Sequence, residues 1–407
     1  MSISPAAYRI LTALLCAALA TLLCWQQHRL PADLLSLLPQ LPFILLPVAL
    51  LIPLFSNHSK ELATSLLMLC AYWLIRNHLQ APLQTVPAAQ IFYLLCVVLP
   101  INVLALIWLP EHGLRHPQGI AIALLPAIGL FLLAQLLVAN PGLMADTSRT
   151  NIASAIGSIH LSALSAWLYG LAFACAIFSA IWQQQMYASS AVGCALILAI
   201  TMGWIDVANI SAIMFTGLGL LLTINITSGL FHIGFYDELT QIGNRRALLA
   251  AAKTAGNQYS LAMIDADHFK KINDRFGHDL GDQALRVIAS CISKVGCGAK
   301  AFRYGGEEFC LLFKGKSQAE VTDCLEQLRQ AIANYDMVIR DKKARPAQRA
   351  KGEKNRGASR RHSNLRLTVS VGVVDSSAGG SFEQLIKLAD RALYRAKAGG
   401  RNRLAFA

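Results

Sequence analysis

The first 231 residues hold only six Lys/Arg and five Asp/Glu, and that scarcity constrains the fold more than any motif does. Apolar runs fall near 9–25, 35–55, 62–75, 90–109, 118–138, 162–182, 190–206 and 209–231, separated by polar breaks such as Gln26-Gln27-His28-Arg29 and Glu111-His112. Several reach the roughly 18 to 20 residues that a helix needs to cross a bilayer. The runs at 62–75 and 190–206 are short, so the expectation is eight spans with seven as the alternative. Charge does not orient them: Arg9, Lys60 and Arg115 would face one side, and Arg29, Arg76 and Arg149 the other. Asp206, between the last two runs, reads either as a solvated interfacial acid or as a ligand or proton site.

The other thirty Lys/Arg and eighteen Asp/Glu lie beyond residue 231. A greasy half is therefore followed by a soluble one. With 55% hydrophobic residues and a mean hydropathy of +0.46, the whole is too apolar for a soluble chain of this size. A cleavable leader is not expected, because many more apolar runs follow the first. The ten cysteines are scattered without a CxxC pair, which points to free thiols in a reducing compartment rather than to zinc or a disulfide framework. No motif in the apolar half distinguishes a sensor from a transporter or an anchor.

The soluble half begins at Asp237-Glu238-Leu239-Thr240, almost directly after the last apolar run. A movement of that last span would pass straight into the domain. Tyr259 to Asp265 reads as a buried strand, and Asp267 shares a face with Asp265 if the strand continues. Lys270, Asn273, Gly277-His278 and Gly281-Asp282 follow, ahead of an apolar helical run from Gln283 to Ile292. Arg303-Tyr304-Gly305-Gly306-Glu307-Glu308-Phe309 reads as a hairpin, one strand ending at Tyr304 and the next running from Phe309 to Phe313. Asp265 beside Glu307 and Glu308 would group carboxylates on strand ends, as a divalent-metal nucleotidyl-transfer site requires. Leu367 to Val374 is a further strand, and Phe382 to Ala398 an amphipathic helix broken by Gly399-Gly400. Lys397 and Arg401, four apart at its end, are candidate phosphate ligands or solvated cations.

In order, Asp237-Glu238-Leu239-Thr240, Asn244-Arg245-Arg246, Asp265-Ala266-Asp267-His268-Phe269-Lys270, Gly277-His278, Gly281-Asp282, the hairpin and Ala389-Asp390 through Arg403 resemble the GGDEF-domain diguanylate cyclases over about 235–406. The third hairpin acid is Glu rather than Asp, the GGEEF variant, which keeps the carboxylate. The apolar runs read as an α-helical polytopic membrane domain (1–231), and the resemblance implies that an α/β palm-like GGDEF domain (232–407) follows it. That domain would condense two GTP into cyclic di-GMP and pyrophosphate, with Mg2+ or Mn2+, two ions per site. By motif position, Asp265, the Ala266 carbonyl and Glu307 would bind metal, Glu307 would accept the proton, and Glu308 would assist. Asn273 and Asp282 would read guanine, whose O6 and N–H donors suit an amide and a carboxylate. His278 would lie near the same nucleotide, with Gly305 and Gly306 also at the substrate, and Lys270, Lys397 and Arg401 would hold phosphates. The 3′-hydroxyl of one GTP must attack the α-phosphate of another, so a homodimer is the expected active form. A catalytically silent GTP or cyclic di-GMP receptor is the alternative, and a transporter or receptor with a cyclase output another. Use of a cytosolic nucleotide puts the carboxy-terminal domain in the cytoplasm of a bacterial inner membrane, attached to a multi-pass bundle.

Two departures from the family stand out. Its product-inhibition Arg-x-x-Asp is replaced at the matching positions by Gly296 and Ala299, so no feedback through that site is expected. Arg340 to Arg366 carries eleven Lys/Arg against Asp341 and Glu353. This basic insertion reads as a solvated loop, as a contact for anionic inner-leaflet lipid, or as a surface for an acidic partner; no specific nucleic acid is expected.

Overall fold

The computed structural model describes residues 5–144, 155–156, 159–182, 186–338 and 364–407. It divides into two compact units, Met1–Leu230 and Phe231–Ala407.

The first unit is helical: α1 (Pro5–Gln26), α2 (Ala32–Leu37), α3 (Pro42–Ser56), α4 (Ser59–His78), α5 (Val86–Trp108), α6 (Pro117–Ala139), α7 (Ala163–Trp182), α8 (Met186–Gly203) and α9 (Ile210–Phe235), the last running on into the second unit. All eight apolar runs fold as helices. Among the described residues, five (α1, α5, α6, α7 and α9) are long and apolar enough to cross a membrane. The segment Ala32–Gln40, bent 40° against α3, makes a sixth. The sequence-based count of eight exceeds this because α4 and α8 do not meet that standard. Helix α8 falls short in length and α4, which opens on Ser59-Lys60-Glu61, in apolarity; both are enclosed by neighbouring helices, and Ser59, Lys60, Glu61, Thr64 and Ser65 of α4 and Ser189, Ser190 and Thr201 of α8 are buried. The bundle thus keeps polar groups inside and turns apolar ones out, with Phe55, Trp167 and Trp182 all more than three-quarters exposed. Water does not tolerate so apolar a surface, whereas hydrocarbon does. A ribbon of β1 (Ala155–Ile156) and β2 (Ile159–Ser162) brings His160 Nε2 to 3.3 Å from Asp206 Oδ1, so Asp206 is an exposed acid facing a histidine.

The second unit is a six-stranded sheet in the order β10-β9-β4-β6-β5-β3: β3 (Gly243–Asn244), β4 (Tyr259–Ala266), β5 (Ala299–Arg303), β6 (Glu308–Lys314), β9 (Val369–Asp375) and β10 (Leu404–Phe406). Central β4 is antiparallel to both neighbours. Strand alternation sorts its side chains. Ala262, Ile264 and Ala266 join the core under α11 (Phe269–Phe276), α12 (His278–Ile292) and α13 (Gln318–Ala333), while Leu261 and Met263 pack against α10 (Arg245–Ala252) and α14 (Phe382–Ala398). Asp265 has the parity of Leu261 and Met263 and therefore looks toward α14. Gly372 of β9 lets α14 in: a Cβ there would lie 2.2 Å from both Ala389 O and Leu393 N. The apolar stretch expected from Gln283 begins as helix at His278.

One reading is corrected. Cys297 and Cys324, expected as free thiols, are joined in a disulfide with their Cα atoms 6.7 Å apart; they lie on the α12–β5 connection and on α13, which only the folded packing brings together. Strand β7 (Asp336–Val338) pairs antiparallel with β8 (Asn364–Arg366). The basic insertion 340–366 thus ends in β8, and its residues 340–363 lie outside the described residues.

Candidate active site

The site is built where β4, β6 and the end of α14 meet. In the antiparallel register Asp265 lies opposite Glu308 on one side and Ser370 on the other. Glu308 shares the parity of Cys310 and Leu312, so it faces α14 as Asp265 does. Lys397, in the last turn of α14, places Nζ 2.8 Å from Asp265 Oδ2. The Ala266 amide donates to the carbonyl of Glu307 at 3.3 Å, which ties the hairpin to the end of β4.

These acids disturb one another. Burial pushes the Asp265 carboxyl up, and Lys397 works against that rise. Glu307 is raised by burial and then by the charge of Asp265. Glu308 is raised by burial and then by Asp265 and Asp390, the latter itself raised by burial. Like-charged carboxylates that cannot all ionise comfortably are a setting that a cation relieves. Among the described residues no three acidic, histidine or cysteine side chains form a metal cage; two carboxylates and a carbonyl suit an ion that keeps water or phosphate oxygens in its other positions.

The hairpin is not held by glycine strain. Neither Gly305 nor Gly306 has a positive φ. Tyr304 and Gly305 amides both donate to Glu308 O, at 2.8 and 3.2 Å, and Arg303 clamps the loop. Its Nε and Nη2 donate to Gly306 O at 3.1 and 2.6 Å, and its Nη1 donates to both Asp237 oxygens at 2.8 and 3.0 Å. Partial burial opposes the charge on Asp237, but hydrogen bonds from Thr240 and Arg303 outweigh it and hold its carboxyl low. Glycine at 305 leaves room for Glu308, whose Oε2 would lie 3.0 Å from a Cβ there, whereas a Cβ at 306 would meet nothing within 4 Å.

Asp267 stands near Asp265 but is engaged elsewhere. It accepts from Thr368 Oγ1 at 2.9 Å, Ser370 Oγ at 2.7 Å and the Asn402 amide at 3.0 Å. That last bond pins the turn after α14, where Gly400, Arg401 and Asn402 all have positive φ. Arg401 is exposed on this turn, close enough for its charge to act on Asp265.

The other expected substrate residues lie on the α11–α12 hairpin, two residues past β4. Lys270, His278 and Asp282 are exposed there. Asn273 Oδ1 is buried without a hydrogen-bond partner, an acceptor waiting for a donor. It packs so closely on α12 that a Cβ on Gly281 would lie 1.9 Å away. The structure therefore gathers Asp265, Glu307, Glu308, Lys397 and Arg401 at one end of the sheet, with Lys270, Asn273, His278 and Asp282 on the adjoining helical hairpin. Sequence reasoning assigned no role to Arg303, Asp390 or Gly281. Each stood inside a quoted motif, but only the folded register shows what it touches.

Residues 234–403 match the family model described as diguanylate cyclase, GGDEF domain. The carboxy-terminal unit is thus a GGDEF domain. The chain is 38% identical over 174 residues to diguanylate cyclase VdcA of Vibrio cholerae, covering 42% of this chain and 46% of that protein. It is 34% identical over 175 residues to the response regulator PleD of Caulobacter vibrioides, covering 41% and 34%. It spans less than half the length of either relative. Among solved structures, the coiled coil and GGDEF domain of DgcB from Caulobacter crescentus, in complex with c-di-GMP, matches at 29% identity and a TM-score of 0.38, covering 44% of this chain and 90% of that one.

Proposed function

We propose that this protein is a membrane-bound diguanylate cyclase that joins two GTP into cyclic di-GMP, releasing two pyrophosphates, under the control of its helical bundle. The observation that carries the reading is the cluster of Asp265, Glu307 and Glu308 with Lys397 on the face of α14. Its two relatives above are named for a diguanylate cyclase and a response regulator, and the activity comes to this chain from the matched domain and the intact site.

Asp265, Glu307 and the Ala266 carbonyl would hold Mg2+ or Mn2+, which supplies charge neutralisation and Lewis acidity at the triphosphate. Glu307, with its carboxyl held up, is suited to take the proton of the attacking 3′-hydroxyl. Glu308 holds negative charge beside it. Lys397 and Arg401, with Lys270, bind phosphate oxygens. Asn273 Oδ1 and the Asp282 carboxylate accept from the guanine N–H groups, with His278 beside the base, and adenine lacks that donor pattern. Gly305 and Gly306 leave the hairpin bare where the nucleotide approaches. One domain binds one GTP, so two chains must face each other; the homodimer is the active form. With Gly296 and Ala299 in place of Arg and Asp, product does not inhibit through the family's usual site. The apolar outer face of the first unit supports a multi-pass inner-membrane location with the second unit in the cytoplasm. The basic insertion would then be drawn to anionic lipid.

The test is incubation of purified protein with GTP and Mg2+. Cyclic di-GMP should form, and Glu307→Ala should abolish it. Nucleotide binding without product would favour a receptor instead.

A further inference from the structure

The interior of the first unit holds a polar site that the cyclase reading does not use. Helix α4 opens with Ser59, Lys60 and Glu61, which are 0%, 2% and 7% exposed. Glu111, arriving from the loop after α5, accepts from the Ser59 amide at 2.6 Å and its hydroxyl at 2.8 Å. Lys60 Nζ lies 5.6 Å from the ring centre of Tyr187, whose hydroxyl accepts from Thr64 at 3.1 Å.

Glu61 has no such provision. Its Oε2 is buried and has no hydrogen-bond partner among the described residues. It lines a small cavity with His58, Ser190 and Asn225, closed on the apolar side by Ile226 and Leu230 of α9. Asn225 Nδ2 donates to Ser190 Oγ at 3.2 Å, so one amide hydrogen is committed to Ser190, and the acceptor of that amide is its carbonyl oxygen. The wall thus offers a carboxylate, an amide oxygen and a hydroxyl oxygen, with no thiol.

An ionised carboxylate taken out of water without a partner is costly, and it persists where something positive meets it. The ionisable groups around this cavity are His58, Lys60, Glu61, Glu111 and Tyr187. Lys60 can offset only one of the two glutamates, and Glu61, whose Oε2 has no partner among the described residues, is left as the negative charge to be met. A single carboxylate is too little for a divalent ion, which gathers several. It matches one positive charge. We propose that this cavity binds one small monovalent cation of the alkali or ammonium class, with Glu61 as counter-charge and Ser190 and Asn225 as neutral oxygen donors. The bound cation would touch the carboxy-terminal half of α9, the helix that runs on to Phe235.

The six tryptophans all lie between residues 25 and 204, so tryptophan fluorescence reports melting of the first unit alone, whatever the GTP chemistry of the second. The full chain in lipid nanodiscs is melted at fixed pH and ionic strength while NaCl, KCl or NH4Cl replaces choline chloride. At least one of the three should raise Tm along a saturating curve. Glu61→Gln should erase that rise, and Asn225→Ala should move its midpoint to about fivefold higher concentration, the loss of one neutral contact. Equal melting in all four salts overturns the proposal, as does a rise that survives in Glu61→Gln. If Glu61→Gln does not fold, an unmoved midpoint in both Asn225→Ala and Ser190→Ala overturns it. A Tm that rises on acidification but ignores the cation also does so, since Glu61 would then be taking a proton.

Discussion

Replacing Gly281 with alanine should separate the stability of the GGDEF domain from its recognition of guanine. A Cβ at this position would lie 1.9 Å from Asn273 Oδ1, 3.0 Å from Asn273 Cγ and 3.2 Å from Phe269 Cζ. The amide must swing away. Overpacking of this kind costs about 1–3 kcal/mol, but alanine in the interior of α12 returns about 1 kcal/mol of helix propensity. The net loss is then about 0–2 kcal/mol, a fall in Tm of no more than about 8 °C for a domain of this size. Guanine recognition has no such offset. Losing one or two neutral hydrogen bonds of about 0.5–1.5 kcal/mol each should raise the KM for GTP about 2- to 150-fold. Steady-state kinetics and thermal melts of the full chain read the two effects separately. In the double variant Gly281→Ala/Asn273→Ala the clash is gone, so Tm should recover while KM stays high, a non-additive result. An unchanged KM in Gly281→Ala, or strictly additive Tm losses in the double variant, would refute the reasoning.

Gly372→Ala should be far more damaging, because the atoms 2.2 Å away are the backbone of α14 and cannot rotate aside; a loss of about 3 kcal/mol or more should appear in chemical denaturation. Arg303→Ala removes the clamp on Gly306 O and leaves Asp237 without its cation. Stability should drop by about 2 kcal/mol and kcat should fall with it, both measurable by denaturant midpoint and product formation, with a wild-type kcat as the contrary result. Glu307, Glu308 and Asp265 have carboxyls raised by folding, so the folded state holds their protons more tightly than the unfolded one. Their contribution is therefore most favourable at low pH and is lost as pH rises through the raised values. Glu308→Gln should accordingly stabilise metal-free protein at neutral pH more than at acid pH, read as Tm against pH in chelator, and a gain confined to acid pH would contradict the assignment.

How much of this was readable without coordinates differs between the two units. For the second, strand alternation and motif order already pointed to Asp265, the Glu307–Glu308 pair and the helix ending at Ala398, because each is a local pattern of residue type and spacing. The sequence also announced a helical bundle, since long apolar runs interrupted by short polar breaks leave few alternatives. It counted eight spans where five or six helices among the described residues meet the requirement, because one apolar run folds as a helix that is too short and another sits on a helix that opens with polar residues. By sequence Lys60 is only a charge at a span end; the fold buries it and Glu61 at the start of α4 and puts Glu61 in the wall of a cavity.

The same limit governs the site. The hairpin's glycines suggested a turn set by backbone freedom, yet Arg303 holds it, through two partners, one of them sixty-six residues away at Asp237. By sequence Asp267 only shares a face with Asp265, and in the fold it accepts from Thr368, Ser370 and the Asn402 amide. Cys297 and Cys324 gave no spacing signal and are bonded. The sequence by itself determined the apolar bundle, the identity of the acids and which segments form the long strands, since these follow from local periodicity and residue chemistry. Tertiary structure alone decided which acids share a face, which cations answer them and which polar groups are left buried without a partner. Those are properties of distance between segments, and no local pattern encodes them.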